Sequence, residues 1–477
     1  MAQWFVRHKW LAILAIASVA LVAFVACGDD EEEDKATASP AGTAPAATAA
    51  AQGPLKIGLL LDYTGALGSF GPQEENAAKL AIRHINAAGG VLGQPVQVVT
   101  GDSQTSTQPG VAEARRLIDI EHVHAIVGSL ASSVTAAVAE SVTVPAKIPQ
   151  ISHASTSPAL TKVVDNDFLF RVPISDAAQG VVLAKLVGED LGYKKVCVMY
   201  VNNAYGQGLA ESFQKAYEAA GGTVTAAVSH ADQTAATTYL SELNQCVKDS
   251  PEALVAISYP VGQAQVYLKE AIEQNLIKTF VFVDGTRDDK MFKALGWSNF
   301  DGLRGTSPGS LPPADFSAKF DAAYVADYGA LYKVPFTREA YDAVIAIALA
   351  AEKAKSTDGT KIRDALRDIG NAPGDPVGPP PEGIKTALEA IRAGTDIDYQ
   401  GAAGSVEWDA NGDVLLGAID MWHIDAAKET FVTDKTFKVD LKANTIEQLT
   451  TANLDFQTLD QVARIDPVLL RALESLT

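Results

Sequence analysis

A regular alternation of short apolar strands and amphipathic helices is the feature that most constrains this chain. "KIGLLLDY" (56–63) is rich in branched residues, and a helical pattern follows it until "NAAGG" (86–90). Later apolar runs in the same order are "HAIVGS" (124–129), "KKVCVMYVN" (194–202) and "TFVFVD" (279–284). Strands that alternate with helices of this length form parallel sheets with helices on both faces. Because the pattern restarts near residue 174, we predict an α/β fold with two doubly wound parallel-sheet lobes.

The loops that follow the strands are where a site is expected in such a fold. In open α/β sheets, ligands lie beyond the carboxyl ends of the strands, where loops and helix N-termini meet. Two lobes that face each other with these ends inward enclose a cleft that a hinge motion can close. This arrangement favours a protein that binds small molecules, although a fold by itself does not define a function.

The charge and the motifs of the chain argue against several classes of function. The formal net charge is −20, which argues against a nucleic-acid partner because phosphates are repelled. The chain has no C-x-x-C, H-E-x-x-H or Walker-type glycine loop, so these enzyme signatures are missing. Ser132 and His153 could serve as nucleophile and base, but no acid or oxyanion motif accompanies them. We therefore predict neither catalysis nor a metal or other cofactor.

The N-terminal region has the pattern of a targeting signal. A basic head, "RHK" (7–9), precedes residues 10–26, which are apolar apart from one serine. This pattern is typical of a secretory signal, since a bilayer span needs about 20 apolar residues. "FVA" (24–26) before Cys27 resembles the lipobox of bacterial lipoproteins, with Phe where Leu is usual. The resemblance implies a lipoprotein signal peptide over residues 1–26 and a lipidated Cys27. A plain signal peptide and an uncleaved membrane anchor are the alternatives, and all three place the rest of the chain outside the cytoplasm.

A disordered tether is predicted over residues 27–54. Residues 29–34 are all acidic, and residues 35–54 are almost entirely Ala, Thr, Gly, Ser and Pro. Such a segment has little to bury, so it gives the folded part reach above a membrane. From Leu55 the composition changes to apolar runs and Gly-marked turns. The roughly 420 residues that follow are long enough for two or three domains.

Several segments, taken in order, resemble one family. They are "IGLLLDYTGALGSFGPQEENAAKLAIRHINAAGGVLG" (57–93), "AIVGSLASSVTAAVAE" (125–140), "PQISHASTSPAL" (149–160), "VNNAYGQGLAESFQ" (201–214), "EAYDAVIAIALAAEKA" (339–354) and "GSVEWDANGDVLLGAIDMWHI" (404–424). These segments resemble the periplasmic binding proteins for branched-chain amino acids, which are substrate-binding components of ABC importers. The resemblance implies the type I periplasmic binding protein fold, with three hinge crossings near residues 171–174, 303–308 and 400–404.

The resemblance also implies a division of the chain into domains. Lobe 1 comprises residues 55–172 and 306–402, lobe 2 comprises residues 173–305 and 403–440, and residues 441–477 form a C-terminal extension. A Pro-rich insertion at 371–396 lies outside the family pattern. Cys197 and Cys246 could pair in an oxidising compartment, although two cysteines do not define a disulfide framework.

The resemblance assigns ligand contacts in lobe 1 to Phe70, Ser132, Ala154, Ser155 and Thr156. Ser132 opens a predicted helix, where free N–H groups and the helix dipole favour a carboxylate. In the family, the Ala154 position supplies a backbone carbonyl for an ammonium group, and the Thr156 position supplies a hydroxyl for the carboxylate. An aromatic residue at position 70 packs over the ligand side chain. The alternatives are an N-cap for Ser132, turn chemistry for Thr156 and a core position for Phe70.

Contacts from lobe 2 are assigned to Tyr205, Tyr259 and Asp284, which stand just past predicted strand ends. A tyrosine there can close over a ligand with an apolar face and a hydroxyl group; ordinary rim packing is the alternative. Family members usually carry an acid after this last strand, paired with the ligand's ammonium group. Thr286, with Arg287 beside it, could instead occupy that position. Asp284 in the cleft predicts an aliphatic amino acid, whereas Arg287 in the cleft predicts a second anionic group or no ammonium.

The predicted function is capture of a small ligand by closure of the two lobes. Lobe 1 anchors the charged end of the ligand, and closure removes water from charged hydrogen bonds. The resemblance implies a monomer, lipid-anchored outside the cytoplasm, that delivers a branched-chain amino acid to an ABC permease and ATPase complex. Relatives of this fold also bind amides, urea and aromatic acids. A ligand-sensing subunit that signals through a separate protein is a further alternative.

Overall fold

A computed structural model of the protein describes residues 53–232, 236–311, 315–379 and 381–449. The predicted signal peptide, the lipidated Cys27 and nearly all of the predicted tether lie outside the described residues, as does the chain from residue 450 onward. Among the described helices, none combines the length and apolarity that a membrane crossing requires.

Strands and helices alternate through most of the described chain. The strands are β1 Lys56–Leu61, β2 Gln97–Asp102, β3 Ala125–Gly128, β4 Gln150–Ser152, β5 Leu169–Arg171, β6 Lys195–Val201, β7 Thr223–His230, β8 Ala253–Ile257, β9 Phe280–Phe282, β10 Arg304–Gly309, β11 Asp375–Val377, β12 Ile397–Tyr399, β13 Leu416–Asp425, β14 Thr430–Asp440 and β15 Thr445–Leu449. The helices are α1 Gly71–Ala87, α2 Thr107–Arg115, α3 Ser132–Val138, α4 Val144–Ala146, α5 Asp176–Lys185, α6 Ala204–Ala219, α7 Leu240–Val247, α8 Gln265–Glu273, α9 Asp289–Leu295, α10 Phe316–Tyr328, α11 Thr337–Ala354, α12 Gly359–Gly370 and α13 Pro381–Ala393.

The first sheet has five strands in the order β2-β1-β3-β4-β5, and each neighbouring pair is parallel. Its central strands are apolar on both faces, as is usual where helices cover both sides of a parallel sheet. Helix α11 packs against α1, α12 and β3 and is buried along most of its length. Its sequence, rich in Ala and Ile, suits a helix surrounded by protein.

The second sheet has eight strands in the order β15-β14-β13-β10-β9-β8-β6-β7. Strands β6 to β10 pair in parallel, whereas β10-β13, β13-β14 and β14-β15 pair antiparallel. Its parallel part agrees with the predicted doubly wound lobe, and three antiparallel pairs, which were not predicted, extend it. Only residues 426–429 connect β13 to β14, and a parallel pairing needs a crossover of a dozen residues or more.

The chain passes between the two sheets three times. It leaves the first sheet after β5, returns after β10 to form the helices that pack beside α1, and leaves again after β12. These passages lie close to the three segments in which hinge crossings are predicted. Sheet membership alone does not fix domain boundaries, so the residue limits of the two lobes stay predictions.

Cys197 and Cys246 form a disulfide, which the sequence left open. Cys197 lies in β6 and Cys246 in α7, with 5.5 Å between their Cα atoms. Both residues are fully buried. The bond therefore joins a central strand to a helix that packs on it.

Two local features of the fold depend on specific side chains or prolines. Strand β4 ends at Ser152, where the Ser152 hydroxyl accepts a hydrogen bond from Ser155 N at 2.9 Å and turns the chain. The insertion at 371–396 is more ordered than its prolines indicate. It contributes β11, which pairs with β12, and α13, whose buried Ile384 and Leu388 belong to a helix packed on α1 and α11.

Candidate ligand-binding site

A small cavity of about 20 Å³ lies among buried side chains between the carboxyl ends of the two sheets. Its lining residues are Leu67, Phe70, Leu130, Ser132, Ala154, Tyr205, Tyr259, Asp284, Gly285 and Phe336. Those from the first sheet follow β1, β3 and β4, and those from the second follow β6, β8 and β9. The parallel order brings these loops together, since the carboxyl ends of parallel strands meet at one edge.

Most of the predicted site residues meet in this cavity. Phe70, Ser132, Ala154, Tyr205, Tyr259 and Asp284 line it. Two predicted site residues, Ser155 and Thr156, do not line the cavity that the described residues form. The Ser155 hydroxyl is turned into the interior, 2.8 Å from Thr135 Oγ1 and 2.9 Å from the Leu130 carbonyl oxygen.

One end of the cavity is suited to an anion. Ser132 is the first residue of α3, and its hydroxyl accepts a hydrogen bond from Ser157 N at 3.3 Å. The N–H groups of a first helical turn have no partner within the helix. Val134 N and Thr135 N bond to the Ala131 carbonyl, so a carboxylate at this end of the cavity would meet the Ser132 hydroxyl and the first N–H groups of α3.

The opposite side carries a buried acid, Asp284. Its Oδ1 accepts hydrogen bonds from Gln179 Nε2 at 2.7 Å and from the Tyr205 hydroxyl at 3.1 Å. Burial raises the pKa of Asp284 to about 6, and the bonds from Gln179 and Tyr205 oppose that rise. This carboxylate is the group on the cavity wall that can pair with a ligand cation.

Thr286 and Arg287 do not line the cavity. The Thr286 hydroxyl donates to the Val283 carbonyl at 2.9 Å and accepts from Val283 N at 3.0 Å. The Arg287 guanidinium lies 5.1 Å from the ring centroid of Phe431 and 5.9 Å from that of Trp422. It is therefore held by aromatic faces away from the cavity.

A second buried acid, Asp176, lies behind Asp284. Its Oδ2 accepts a hydrogen bond from the Thr156 hydroxyl at 2.8 Å, which accounts for the orientation of Thr156. Burial raises the pKa of Asp176 well above its ordinary range, and the negative charge of Asp284 raises it further. Asp176 is not predicted as a site residue from the sequence, because an acid after Ser175 at a helix start has the pattern of ordinary capping.

Aromatic rings form much of the remaining wall. The rings of Tyr205 and Tyr259 are stacked, with centroids 5.4 Å apart and planes 10° apart. The Tyr259 hydroxyl accepts from Asn203 Nδ2 at 3.3 Å. Phe336, which the sequence analysis also missed, has a left-handed backbone with φ of 65° just before α11. That conformation is uncommon for a bulky residue, and it marks a position under local constraint.

His153 does not line the cavity and lies beside Glu74 of α1. His153 Nε2 lies 3.3 Å from Glu74 Oε2, and both side chains are fully buried. Burial raises the pKa of Glu74, while the neighbouring His153 opposes that rise. In the described part of the chain, no group of three or more His, Cys, Asp and Glu is arranged to hold a metal ion.

The segment "GTSPG" (305–309) matches the nucleophile pattern G-x-S-x-G, but its geometry differs from that motif. Ser307 lies inside β10, in register with Asp420 of β13. A nucleophile of this type requires a sharp turn between a strand and a helix. The match therefore adds no catalytic site.

Direct hydrogen bonds join the two sides of the cavity. The Ser157 hydroxyl, after β4, donates to the Ala204 carbonyl at 2.7 Å, and Val261 N, after β8, donates to the Ala66 carbonyl at 3.2 Å. All of the named side chains on the cavity wall are buried. The structure therefore has the two sides closed over the cavity.

Two α/β sheets that enclose a small buried cavity at their carboxyl ends define a solute-binding protein. The chain belongs to the periplasmic binding protein family, whose model matches residues 54–385.

Relatives with curated names match different shares of the chain. An amino acid binding protein of Pseudomonas aeruginosa is 38% identical over 156 residues, which is 33% of this chain and 41% of that protein. The Leu/Ile/Val-binding protein BraC3 of Rhizobium johnstonii is 27% identical, over 66% of this chain and 83% of its own length. The chemotactic signal transduction system substrate-binding protein BasB of Halobacterium salinarum is 27% identical, over 79% of this chain and 89% of its own length.

A solved structure has the same architecture over nearly the whole described region. It is the branched-chain amino acid transporter substrate-binding protein LivJ from Streptococcus pneumoniae, in complex with isoleucine. It is 25% identical to this chain, with a TM-score of 0.65, and the match covers 81% of this chain and all of LivJ.

Proposed function

We propose that this protein is an extracytoplasmic substrate-binding protein that captures a branched-chain amino acid and delivers it to an ABC importer. One observation carries the proposal: a buried carboxylate and a helix N-terminus lie on opposite sides of a small cavity with an apolar wall. Asp284 offers a partner for an ammonium group, and Ser132 with the start of α3 offers one for a carboxylate. A zwitterion with an aliphatic side chain satisfies all three features.

The rest of the cavity wall favours an aliphatic side chain on the ligand. Leu67, Phe70, Leu130 and Phe336 are apolar and buried, and burial of apolar ligand area contributes about 25 cal/mol per Å². The stacked Tyr205 and Tyr259 rings add two more apolar faces. Proteins that resemble this chain support the choice, since BraC3 is named for Leu, Ile and Val and LivJ was solved with isoleucine.

Closure of the cleft is the proposed mechanism of capture. The loops after β1, β3 and β4 hold the carboxylate end, and the loops after β6, β8 and β9 then cover the ligand. The bonds from Ser157 to Ala204 and from Val261 to Ala66 form only when the two sides meet. A ligand that contacts both sides stabilises the closed state by its extra affinity for that state. The permease would recognise the closed form, and a lipidated Cys27 would keep the protein near it.

Ligand sensing is the second candidate function, since BasB is a chemotactic substrate-binding protein that matches most of this chain. A strain that lacks the protein separates the two roles. Loss of radiolabelled leucine uptake supports delivery to an importer, whereas normal uptake with loss of taxis toward leucine supports sensing.

The binding proposal is tested by thermal unfolding with a panel of ligands. We expect L-leucine, L-isoleucine and L-valine to raise the Tm of the purified protein, and urea, acetamide and benzoate to leave it unchanged. The Asp284→Asn variant should lose the shift because the ligand's ammonium group loses its charged partner. Asp301→Asn is the control, because Asp301 accepts a bond from Ala426 N and does not line the cavity. A shift with benzoate or urea but not with leucine would overturn the assignment.

A further inference from the structure

Two carboxylates are buried together beside the cavity. Asp176 and Asp284 are 0% and 3% exposed. They belong to different elements, since Asp176 opens α5 and Asp284 follows β9. Two like charges in a medium of low dielectric repel strongly, and such pairs in proteins commonly hold a proton between them.

The hydrogen bonds around the pair leave acceptors unused. Asp176 Oδ1 and Gln179 Oε1 are buried and have no hydrogen-bond partner among the described residues. Gln179 Nε2 donates to Asp284 Oδ1 and lies 3.4 Å from the Thr306 carbonyl oxygen. Buried acceptors without donors are costly, so a proton held by the acid pair would stabilise this region behind the cavity wall.

The charged and titratable groups that face the pair do not neutralise it. Arg171 attracts Asp176, but its guanidinium is already bound to Asp413 Oδ1 at 2.5 Å and to the Ser157 carbonyl at 2.9 Å. Tyr205 faces both acids, and burial keeps its hydroxyl protonated by raising its pKa well above the ordinary range.

Two more acids, Asp62 and Asp232, act electrostatically on Tyr259, which lines the cavity. Both are negative when ionised, so they add to the repulsion. Burial also raises the pKa of Tyr259 well above its ordinary range, which keeps that hydroxyl neutral. The surroundings therefore favour a proton on the acid pair.

We propose that Asp176 and Asp284 share one proton while the cleft is empty, and that the ligand's ammonium group displaces this proton to solvent. This inference rests on the proposed function. The pair begins with one carboxyl and one carboxylate, and it ends with two carboxylates and one ammonium cation. The charge at this end of the cavity is therefore −1 before and after binding. The ligand's own carboxylate adds one negative charge at the other end, beside Ser132 and the start of α3.

The direction of the pH dependence follows from this exchange. Burial raises the pKa of Asp284 to about 6, and burial together with Asp284 raises that of Asp176. A bound ammonium group lowers both pKa values, because an opposite charge favours the ionised acid. Binding therefore weakens as the pH falls through the pKa of the empty site, approaching about tenfold per pH unit for one linked proton.

Calorimetry with L-leucine measures the released proton directly. Binding heats are compared in phosphate and in Tris buffer at the same pH, at several values between about pH 5 and 8. Because the two buffers have different heats of ionisation, a released proton makes the heats differ. We expect a release that approaches one proton per leucine near the pKa of the pair. Equal heats in both buffers at every pH would overturn the inference while leaving the proposed function intact. No leucine binding at all would overturn the proposed function.

Two variants locate the source of the proton. Asp176→Asn leaves Asp284 without an acidic neighbour, while burial still raises the pKa of Asp284 to about 6. We therefore expect the release above about pH 7 to disappear and any remaining release to lie near the pKa of Asp284 alone. Asp301→Asn is the control, because Asp301 is exposed, accepts from Ala426 N and does not line the cavity. Release above about pH 7 that persists in Asp176→Asn, or that vanishes in Asp301→Asn, would contradict the assignment. If Asp176→Asn does not fold, the two-buffer experiment on the unchanged protein decides alone.

Discussion

Asp284 and Arg287 lie three positions apart and carry opposite charges, and the side chain that faces the cavity decides the class of ligand. A short 3-10 turn over Asp284–Thr286 follows β9, and the Thr286 hydroxyl fixes it through Val283. This turn leaves the Asp284 carboxylate at the cavity and sends Arg287 to the rings of Phe431 and Trp422. A ligand with an ammonium group is therefore favoured over one with a second anion.

The Tyr205 hydroxyl is hydrogen-bonded to the Asp284 carboxylate, so removal of this single oxygen atom gives a testable prediction. The hydroxyl donates to Asp284 Oδ1 at 3.1 Å and accepts from Gly285 N at 3.2 Å. Tyr205→Phe removes both bonds and keeps the ring. We expect leucine affinity to fall roughly tenfold, since a hydrogen bond to a charged group contributes about 1.5–3 kcal/mol and the loss is partly offset by water. Titration calorimetry measures it.

Tyr217→Phe is the matched control for that prediction. Tyr217 lies on the same helix, α6, and its hydroxyl donates to the Tyr193 carbonyl at 2.9 Å, away from the cavity. This variant should bind leucine as tightly as the unchanged protein. Equal losses in the two variants would show that Tyr205 acts only through the stability of α6.

More of the cavity-lining residues than of the residues behind them can be predicted from the sequence. Residues that directly follow strands, such as Ser132 and Tyr205, could be predicted because strand ends meet at one edge. Phe336 follows no strand of the predicted alternation, and it reaches the cavity only because α11 packs beside α1. Asp176 has the local pattern of a helix start, so its proximity to Asp284 appears only in the tertiary structure.

At the scale of elements, periodicity predicted the alternation well and the pairing of the last strands poorly. Central strands such as β1 and β8 are continuous apolar runs between glycine turns, which is a strong signal. The final strands carry mixed polar residues, so their sequence does not reveal that β13, β14 and β15 extend the second sheet antiparallel. The turn length between β13 and β14 is the signal that could have shown it.

Helix α11 carries a buried acid in its first turn, which gives a prediction on stability. Burial raises the pKa of Glu339 from 4.5 to about 8. The unfolded chain ionises this carboxyl at lower pH than the folded protein, so the group's contribution to the free energy of unfolding falls as the pH rises from 4.5 toward 8. Glu339→Gln should remove this fall and be more stable at pH 8 by at least about 1 kcal/mol.

Urea unfolding at a series of pH values measures this effect. Glu389→Gln is the control, because Glu389 is exposed on α13 and its side chain is 62% accessible in a 3.8 Å pair with Lys385. The control should keep the pH dependence of the unchanged protein. A Glu339→Gln variant with the same slope as the control would contradict the prediction.

At the scale of the whole molecule, closure over the cavity rests on bonds between residues far apart in the chain. Ser157 and Ala204 are 47 positions apart, and their bond joins the loop after β4 to the first turn of α6. Val261 and Ala66 make the second such bond. Neither bond touches the cavity lining directly, so each can change the stability of the closed state without changing the ligand's own contacts.

Ser157→Ala should therefore speed ligand release. The variant loses the bond to Ala204 at 2.7 Å, and one neutral hydrogen bond corresponds to about 0.5–1.5 kcal/mol, or roughly two- to tenfold in the dissociation rate. Stopped-flow displacement of bound leucine measures the rate. Ser141→Ala is the control, because the Ser141 hydroxyl is exposed and donates to the Ala137 carbonyl within its own helical segment. An unchanged rate in Ser157→Ala would show that this bond does not hold the cleft closed.

The sequence by itself determined the alternation of strand and helix, the restart that makes two sheets, and the strand ends where a site can form. These properties follow from local hydrophobic period and turn residues, which act over a few positions of the chain. The tertiary structure alone decided which acid faces the cavity, that Asp176 lies beside Asp284, and that Phe336 completes the wall. These outcomes depend on contacts between residues more than 100 positions apart, such as that of Gln179 with Asp284, and packing at that range leaves no local pattern in the sequence.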